Sequence, residues 1–577
     1  PPAGAGGAPP AAAPDAAPAT DVEAELAQIW AAVLGRERVG RHDNFFALGG
    51  DSILSLQVVS RAKQAGLRLT ARQMFQHQTL AELAAAAGVA SAADAEAEEE
   101  PEAGDVPLTP IQRRFFARDL PNPHHWNQAL LLTVAEPLEW PALEAAVQAL
   151  LRHHDALRMR YVPRDVPDER GFRQTLAPTT EPAQVVHRAD LAAVPEAEQP
   201  RALEAQATRW QASLDLTAGP LLRVVAFDLG AGRPGRLLLV AHHLVVDGVS
   251  WRVLLEDLEV AYDQARRGAP AQLPDRTTSF ARWAARLEAA AQEAVLQEEA
   301  TYWLELPWDR LAPLPVDTPA GDRAETAMAM LKVGLSGAET RSLLEAVSEA
   351  YRTRIDEFLL AGLALALGRW TGQPLSAIEV EGHGREALDG ADLDLSRTVG
   401  WFTSAYPVLL EVAPDAAPGA VLRTVKEQLR RVPRRGLSFG AVRELGTGAI
   451  AERLRRLPVP SVGFNYLGQW DQVVGAGARF SLADESPGAE HDPRSPLAYE
   501  IEIDAAVYDG RLEATFRYSA ARYRQETVAA VSALWRDALR ELIAHCLSPD
   551  AGGYTPSDFT DVALASDELD SILEALD

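Results

Sequence analysis

The sequence contains a single cysteine, Cys546, among 577 residues. One cysteine excludes an intramolecular disulfide and a cysteine-ligated cluster, and it favours a reducing compartment such as the cytoplasm. Basic residues are also few: 55 lysines and arginines stand against 82 aspartates and glutamates, which gives a net charge of −27. This surplus of negative charge repels phosphate backbones, so the composition argues against a nucleic-acid-binding protein.

The sequence also lacks long hydrophobic runs. A membrane-spanning helix needs about 20 consecutive apolar residues, so no membrane association is expected. Residues 1–19 are rich in Pro, Ala and Gly and lack the basic and apolar regions of a signal peptide. We expect them to form a linker and the chain to be a piece of a longer protein.

Residues 20–88 have the apolar periodicity of a small helical bundle. The segment Thr20–Glu23 is a capping box that predicts the start of a first helix, and Thr79–Glu82 is another. A further helix is predicted to begin at Ser52. Residues 89–105 are acidic and lack large apolar side chains, so they are expected to form a solvated tether.

The rest of the chain mixes strands and helices. Residues 221–228 and 237–242 are apolar runs on either side of a Gly- and Pro-rich loop, which predicts a β-hairpin. The length predicts two lobes, 106–310 and 311–550, which meet near a proline-rich stretch. Residues 551–577 are expected to be a linker or a docking helix, because the last twelve carry one apolar stripe and an acidic opposite face.

A short motif stands out in the small bundle. Gly49 and Gly50 permit a tight turn, and Ser52 follows Asp51 at the start of a predicted helix. The positive end of a helix favours a phosphate group held there. The alternative is that Ser52 only caps the helix, as many serines in this position do.

This motif, with Phe45 and Phe46 before it, resembles the peptidyl carrier domains of nonribosomal peptide synthetases. The resemblance covers about residues 20–88. It implies that a phosphopantetheinyl transferase attaches 4'-phosphopantetheine covalently to Ser52, which then carries an aminoacyl or peptidyl thioester. Most carriers of the family have His at the position of Asp51, and Asp is similar to carriers that directly precede an epimerization domain.

The strongest motif of the larger region runs from His242 and His243 through Asp247 to Ser250 and Trp251. It follows an apolar strand, so it lies at a strand end, where catalytic groups are commonly presented. His243 can exchange a proton near neutral pH, and Asp247 can orient its imidazole or hold the loop to an arginine. A metal site is an alternative, although no third clustered ligand supports it, and so are two satisfied core histidines.

The pattern His-His-x-x-x-Asp-Gly resembles the condensation superfamily, whose domains have two chloramphenicol-acetyltransferase-like lobes around a tunnel. Other segments resemble its epimerization branch, in the order of that family: Leu108–Gln112, Asn122–Gln128, Ser250–Trp251, Glu381–Glu386, Thr398–Thr403 with Tyr406–Pro407, and Gly463–Gly468. The implied fold is a small all-α four-helix carrier bundle followed by a large α/β domain of two such lobes.

The resemblance implies that His243 and Glu381 face each other across the tunnel and that Tyr466 points into the same space. Moving an α-proton requires a base on one face of the carbon and an acid on the other. A peptide-bond-forming relative needs no second group opposite its histidine. Glu381 is the candidate for this second group, because a partly desolvated carboxylate has a raised pKa. The alternative is that Glu381 is a solvated glutamate near Arg385.

Further residues are expected to support this site: His242, Ser250, Trp251, Arg397, Trp401 and Asn465. Arg397 is expected to pair with Asp247 or to shape the tunnel mouth, with an exposed surface arginine as the alternative. Trp401 is expected to line the pocket or belong to the core. Asn465 and Tyr466 otherwise close a strand.

The leading interpretation is therefore a carrier–epimerization didomain that interconverts L- and D-configured aminoacyl or peptidyl thioesters, without a metal. The alternatives are a condensation-type acyltransferase and an inactive scaffold. No nucleotide-binding signature occurs in the sequence, so an upstream adenylation domain is the expected source of activated substrate. A downstream condensation domain or synthetase protein is the expected recipient of the product.

Overall fold

The computed structural model describes residues 17–89, 104–163, 171–178, 182–345, 347–388, 393–469, 479–549 and 551–558. Most of the predicted N-terminal linker, the acidic tether from 90 to 103 and the predicted docking helix from 559 onward lie outside the described residues.

The first unit is the predicted helical bundle. Within residues 17–89 its elements are α1 (Asp21–Leu34), α2 (Ser52–Gln64), β1 (Leu67–Arg68), α3 (Ala71–Gln76), α4 (Leu80–Ala86) and β2 (Gly88–Val89). Thr20 caps α1 by accepting from the backbone N–H of Glu23 over 3.1 Å, and Thr79 caps α4 in a full capping box. The predicted helix starts are therefore confirmed.

The core of this bundle explains the two glycines of the motif. Trp30 and Phe45 are completely buried and pack edge to face, with ring centroids 5.0 Å apart. A Cβ on Gly50 would lie 2.4 Å from the ring of Phe45, and Gly49 has a φ of +95°. Only glycine fits both positions, so these residues bring the start of α2 against the buried aromatic pair.

The second unit begins with an N-terminal lobe. Its elements are β3 (Gly104–Val106), α5 (Pro110–Ala117), β4 (Asn127–Val134), α6 (Trp140–His153), β5 (Met159–Pro163), β6 (Phe172–Leu176), β7 (Val186–Asp190), α7 (Gln199–Gln211), β8 (Leu222–Asp228), β9 (Gly235–His242), α8 (Gly248–Arg266), α9 (Phe280–Ala290) and α10 (Ala294–Leu304). Strands β8 and β9 form the predicted antiparallel hairpin.

A C-terminal lobe follows. Its elements are β10 (Met328–Gly334), α11 (Gly337–Glu345), α12 (Val347–Tyr351), α13 (Ile355–Thr371), β11 (Leu375–Gly382), β12 (Ser404–Glu411), α14 (Pro418–Arg430), α15 (Leu437–Gly440), α16 (Ala449–Arg455), β13 (Val462–Gln469), β14 (Phe480–Leu482), β15 (Ile501–Tyr508), β16 (Arg511–Ser519) and α17 (Gln525–Cys546).

Each lobe is built on its own large sheet. The strand order is β10-β16-β15-β13-β11-β12 in the C-terminal lobe and β14-β4-β9-β8-β7 in the N-terminal lobe, with β3-β6-β5 beside it. Strand β14 comes from the second half of the chain and pairs antiparallel with β4. The contiguous division predicted from the sequence does not anticipate this crossing strand. The prediction of a helical bundle followed by a two-lobed α/β domain is confirmed.

Residues 551–558, at the start of the predicted tail, pack against the C-terminal lobe. Asp558 accepts two hydrogen bonds from the Lys426 ammonium, at 2.6 and 2.7 Å, and pairs with Arg430. Among the described residues, no helix is both long and apolar enough to cross a membrane.

Candidate active site

The motif serine begins α2 with its side chain half-buried. Asp51, not Ser52, caps the helix: its Oδ1 accepts from the backbone N–H groups of Ile53 and Leu54 over 2.9 and 2.8 Å. The alternative that Ser52 serves as the cap is therefore wrong. A serine at a helix N-terminus whose capping duty is taken by its neighbour fits the attachment of a phosphodiester.

The bundle packs against the two-lobed unit through the loop before Ser52. Gln469 Nε2 donates to the carbonyl oxygen of Gly49 over 2.6 Å. The lining of the cleft between them comes from both units: Phe46, Gly49, Gly50, Leu343, Leu344, Val347, Thr353, Arg354, Ile355 and Phe358. The serine therefore lies next to the strand that carries Tyr466.

Charged side chains hold the same docked arrangement. The guanidinium groups of Arg435 and Arg354 lie 4.2 and 5.0 Å from the ring centroid of Phe75 in α3. Lys63 pairs with Asp394 over 2.7 Å. Such cation–π contacts contribute about 0.5–2 kcal/mol each, depending on desolvation.

The two motif histidines have different surroundings. His242 is fully buried, with Nε2 donating to the Pro123 carbonyl oxygen over 2.8 Å and Nδ1 accepting from the N–H of Leu244 over 3.2 Å. Burial lowers the pKa of His242 to about 3. It is a satisfied core histidine that fixes the strand end, so its neighbour is the candidate for proton transfer.

His243 is held as a neutral base. The amide oxygen of Gln128 accepts from the indole N–H of Trp251 over 3.0 Å, which turns the Gln128 NH₂ group toward His243 Nε2, also at 3.0 Å. Nε2 is therefore an acceptor, and Nδ1 donates to the Val246 carbonyl oxygen over 2.9 Å. Burial lowers the pKa of His243 to about 4.

An aromatic wall closes this side of the site. The indole of Trp401 stacks on the His243 ring with centroids 4.2 Å apart, and Phe115 packs at its edge 6.1 Å away. Trp401 therefore belongs to the core, as one of the two sequence interpretations held, and contacts the candidate base.

Asp247 locks the two lobes together instead of orienting the imidazole. Its carboxylate caps α8, accepting from the N–H and hydroxyl of Ser250, and it accepts from Arg385 over 2.8 and 3.2 Å. Ser250 also bonds to the backbone of Gly400. This buried cluster fixes the loop that follows His243.

The predicted pairing of Arg397 with Asp247 is wrong. Arg397 pairs with Glu256 over 2.6 Å and with Asp257 over 2.5 Å, and its side chain is buried. Asp257, which lies on α8, also bonds to His154 Nε2 over 2.9 Å. The alternative of an exposed surface arginine is excluded as well.

Glu381 lies near the end of β11 among other carboxylates. Its Oε2 accepts from the Asn465 amide over 3.0 Å. The enclosing protein and the nearby Asp504 and Glu502 raise the pKa of Glu381 to about 8. Its side chain is exposed to solvent. Arg385 binds Asp247 and not Glu381, whereas the exposure of Glu381 agrees with the alternative of a solvated glutamate.

Further contacts surround His243 and Glu381. The carbonyl oxygen of Trp126 accepts from the backbone N–H of His243 over 2.9 Å, and the Trp126 ring stacks on His491 with centroids 3.9 Å apart. The charge of Glu502 acts on Glu381. Tyr466 Oη is buried and has no hydrogen-bond partner in the described part of the chain. Burial raises the pKa of Tyr466 well above its usual value.

Sequence reasoning assigned no role to Gln128 or Arg385, although both lie inside the segments it singled out. Arg252, the residue after Trp251, was also missed. Arg252 could have been recognised in the sequence, because it is a charged residue that directly follows the motif, near the start of a helix that is otherwise expected to bury an apolar face.

Comparisons with known proteins agree with this arrangement. A family model described as "Condensation domain" matches residues 102–565, and one described as "Phosphopantetheine attachment site" matches residues 24–87. The crystal structure of the epimerization domain from the third module of tyrocidine synthetase B is similar, with a TM-score of 0.72 and 34% identity. It covers 78% of this chain and 99% of that chain.

Two curated relatives are much longer synthases. A linear gramicidin synthase protein of Brevibacillus parabrevis is 47% identical over 567 residues, which is 96% of this chain and 7% of that protein. Surfactin synthase subunit 1 of Bacillus subtilis (strain 168) is 38% identical over 559 residues, which is 97% of this chain and 15% of that protein. The chain thus spans only a small part of the length of these relatives.

Proposed function

Because the chain belongs to the condensation-domain family and has a phosphopantetheine carrier domain in front of it, we propose that it is a carrier–epimerization didomain of a nonribosomal peptide synthetase. Ser52 is the attachment site of the arm. The two-lobed unit interconverts the L and D configurations of the aminoacyl or peptidyl group carried there. Bound to Ser52, 4'-phosphopantetheine supplies a thioester, which makes the α-proton of the substrate more acidic.

The observation that carries this proposal is the presence of two proton-transfer candidates in the two-lobed unit: the His243 imidazole, whose hydrogen bonds fix a neutral tautomer, and the Glu381 carboxyl group held by Asn465. Their pKa values are shifted in opposite directions. With a pKa near 4, His243 is a neutral base at pH 7. With a pKa near 8, Glu381 still holds its proton at pH 7. An epimerase needs one group to remove the α-proton and another to deliver one to the opposite face. We assign these two roles to His243 and Glu381.

Their hydrogen-bond partners define the atoms that act. His243 takes the proton at Nε2, because Nδ1 carries the proton that is donated to the Val246 carbonyl oxygen; the substrate then replaces the Gln128 amide at Nε2. Glu381 uses its carboxyl group, one oxygen of which is held by Asn465. Tyr466, with its unpartnered hydroxyl, is the second candidate for a proton donor at the carrier side.

The epimerization function is tested by loading the full chain from aminoacyl-coenzyme A with a phosphopantetheinyl transferase and analysing the configuration of the released amino acid. We expect L- and D-loaded chains to converge on the same mixture, and Ser52→Ala to remain unloaded. Retained configuration, together with amide formation when a second aminoacyl carrier is added, would indicate a condensation enzyme. Neither activity would indicate a scaffold.

The partners follow from the same proposal. An adenylation domain activates the amino acid upstream, and a condensation domain or a further synthetase protein receives the product. We assign docking to the apolar stripe of residues 566–577. Deleting that segment is expected to leave epimerization on the chain's own carrier intact and to impair transfer downstream. Transfer that survives both the deletion and Leu573→Asp would remove this role.

A further inference from the structure

Arg252 is a buried cation with too few partners. It lies near the start of α8, and only 7% of its surface is exposed. Nη2 makes a long 3.4 Å bond to the carbonyl oxygen of Gln469, and Nη1 has no hydrogen-bond partner in the described part of the chain. A guanidinium has five N–H donors, and burying its charge is costly unless an anion pairs with it.

The guanidinium lies close to the residues that flank Ser52. A Cβ placed on Gly468 would lie 3.2 Å from Asp51 Oδ2, 3.3 Å from Arg252 Nη2 and 3.4 Å from Ile53 Cδ1. Gly468, with a φ of +79°, lets these three side chains approach one another, because any larger residue would crowd them. The residues on both sides of Ser52 therefore meet Arg252 at one point.

Asp51 by itself does not satisfy this site. Its Oδ1 is used to cap α2, and its buried Oδ2 has no hydrogen-bond partner among the described residues. The hydroxyl of Tyr466, which is also buried and unpartnered, belongs to the same surroundings because the charges of Asp51 and Arg252 act on it. Three buried polar atoms near the start of α2, Arg252 Nη1, Asp51 Oδ2 and Tyr466 Oη, thus have no hydrogen-bond partner in the described part of the chain.

We propose that Arg252 binds the phosphodiester that joins the pantetheine arm to Ser52. This inference rests on the proposed attachment of the arm to Ser52. A phosphodiester carries one negative charge and two free oxygens, and a planar guanidinium matches such a group in a bidentate way. The helix N-terminus favours the same charge. Arg252 thereby holds the modified carrier at the entrance between the lobes.

The competing explanation is that Arg252 only neutralises the negative charge of Asp51. The two explanations differ in the effect of Asp51→Asn, which keeps a capping side chain but removes the carboxylate. If Arg252 binds the phosphodiester, removing a competing anion leaves that contact intact or tightens it. If Arg252 serves Asp51, the same substitution removes its role.

The test uses ³¹P NMR of the full holo chain, which observes the phosphodiester directly. In the wild type we expect a resonance that is shifted and broadened relative to Arg252→Gln, in which it should approach that of a mobile diester. Arg252→Lys should give an intermediate line, and Asp51→Asn should keep the wild-type line. Identical resonances in the wild type and Arg252→Gln would overturn the proposal, as would loss of the wild-type line in Asp51→Asn.

Two measurements keep the test decisive. Peptide mapping by mass spectrometry locates the arm in each variant; an arm on another residue would refute the proposed function, whereas an arm on Ser52 with no dependence on Arg252 refutes only this inference. If Arg252→Gln does not fold, hydrogen exchange of the wild type replaces it. Conversion from the apo to the holo form should slow exchange at residues 248–252 and 464–469, and unchanged exchange would contradict the phosphodiester contact.

Discussion

The side-chain amide of Gln128 lies 3.0 Å from Nε2 of His243 and fixes which nitrogen of that imidazole is free of a proton. Trp251 fixes the orientation of the Gln128 amide, because the amide oxygen accepts from the indole N–H. A protonated Nε2 would place two donors against each other. The neutral base is therefore built into the contact network and does not depend on burial alone.

This relationship predicts the effect of Gln128→Glu. A carboxylate close to the imidazole favours its charged form and raises a histidine pKa by roughly 1–3 units. We therefore expect the acidic limb of the pH–rate profile to move upward from about pH 4, the pKa of His243 in the wild type. Gln128→Leu is the matched control, since it removes the amide without adding charge. An acidic limb that stays in place in Gln128→Glu would contradict the assignment of His243, in contact with residue 128, as the base.

The alkaline limb of the wild-type pH–rate profile should report the loss of the Glu381 proton. In the direction that uses His243 as base and Glu381 as acid, the rate falls as Glu381 loses its proton near pH 8. Glu502→Gln removes a negative charge that raises this pKa, so the alkaline limb should move to lower pH. Glu411→Gln, on the surface of the same sheet, should leave the limb unchanged. A limb that moves upward in Glu502→Gln would refute the assignment.

Asp247 is expected to stabilise the folded state. Removing one partner of a buried ion pair costs about 3–5 kcal/mol, because the other charge is left buried. Asp247→Ala, which strands Arg385 and uncaps α8, should lower the free energy of unfolding by about that amount in urea denaturation. Glu411→Ala breaks the exposed pair with Arg310 and should cost about 0–1 kcal/mol. Equal losses in the two variants would contradict the role of Asp247 as a lock.

Carrier docking should depend on the aromatic face of Phe75. Phe75→Leu keeps an apolar side chain but removes the contacts with Arg354 and Arg435. A loss of about 1–2 kcal/mol corresponds to a roughly 5- to 30-fold lower docked population. Epimerization of the chain's own substrate should slow accordingly, while phosphopantetheinylation is unaffected. Lys63→Ala, which removes a surface pair, is the control and should change the rate little. Equal rates in Phe75→Leu and the wild type would show that the contacts of Phe75 with the two arginines do not hold the carrier in its docked position.

Local signals in the sequence predict much of the fold. Thr20 and Thr79 cap helices because a hydroxyl three residues before an acidic side chain satisfies backbone donors in any context. The β8–β9 hairpin follows from two apolar runs and a Gly-rich turn. Strand β14 was not anticipated, because its partner β4 lies more than 300 residues earlier and pairing at that distance leaves no periodic trace.

The residues of the candidate site also fall into two groups, those that the sequence predicts and those that only the packing of the lobes determines. The sequence singles out His243, Glu381 and Ser52, since these residues lie in recognisable segments. It does not determine that Arg385, and not Arg397, meets Asp247, because both arginines are compatible with the same spacing and only the packing of the lobes distinguishes them. The opposite pKa shifts of His243 and Glu381 also depend on the folded structure, because burial is the main cause of both and Glu502, far away in the chain, adds to the shift of Glu381.

The most direct test of the two-group mechanism is α-hydrogen exchange in heavy water, measured by mass spectrometry on chains loaded with either enantiomer. A positioned acid or base typically contributes on the order of 10² to 10⁴ in rate. We therefore expect the wild type to incorporate deuterium from both enantiomers, and Glu381→Gln and His243→Ala each to interconvert them about 10²- to 10⁴-fold more slowly. Interconversion at a near wild-type rate in Glu381→Gln would show that the carboxyl group takes no part in the proton transfer.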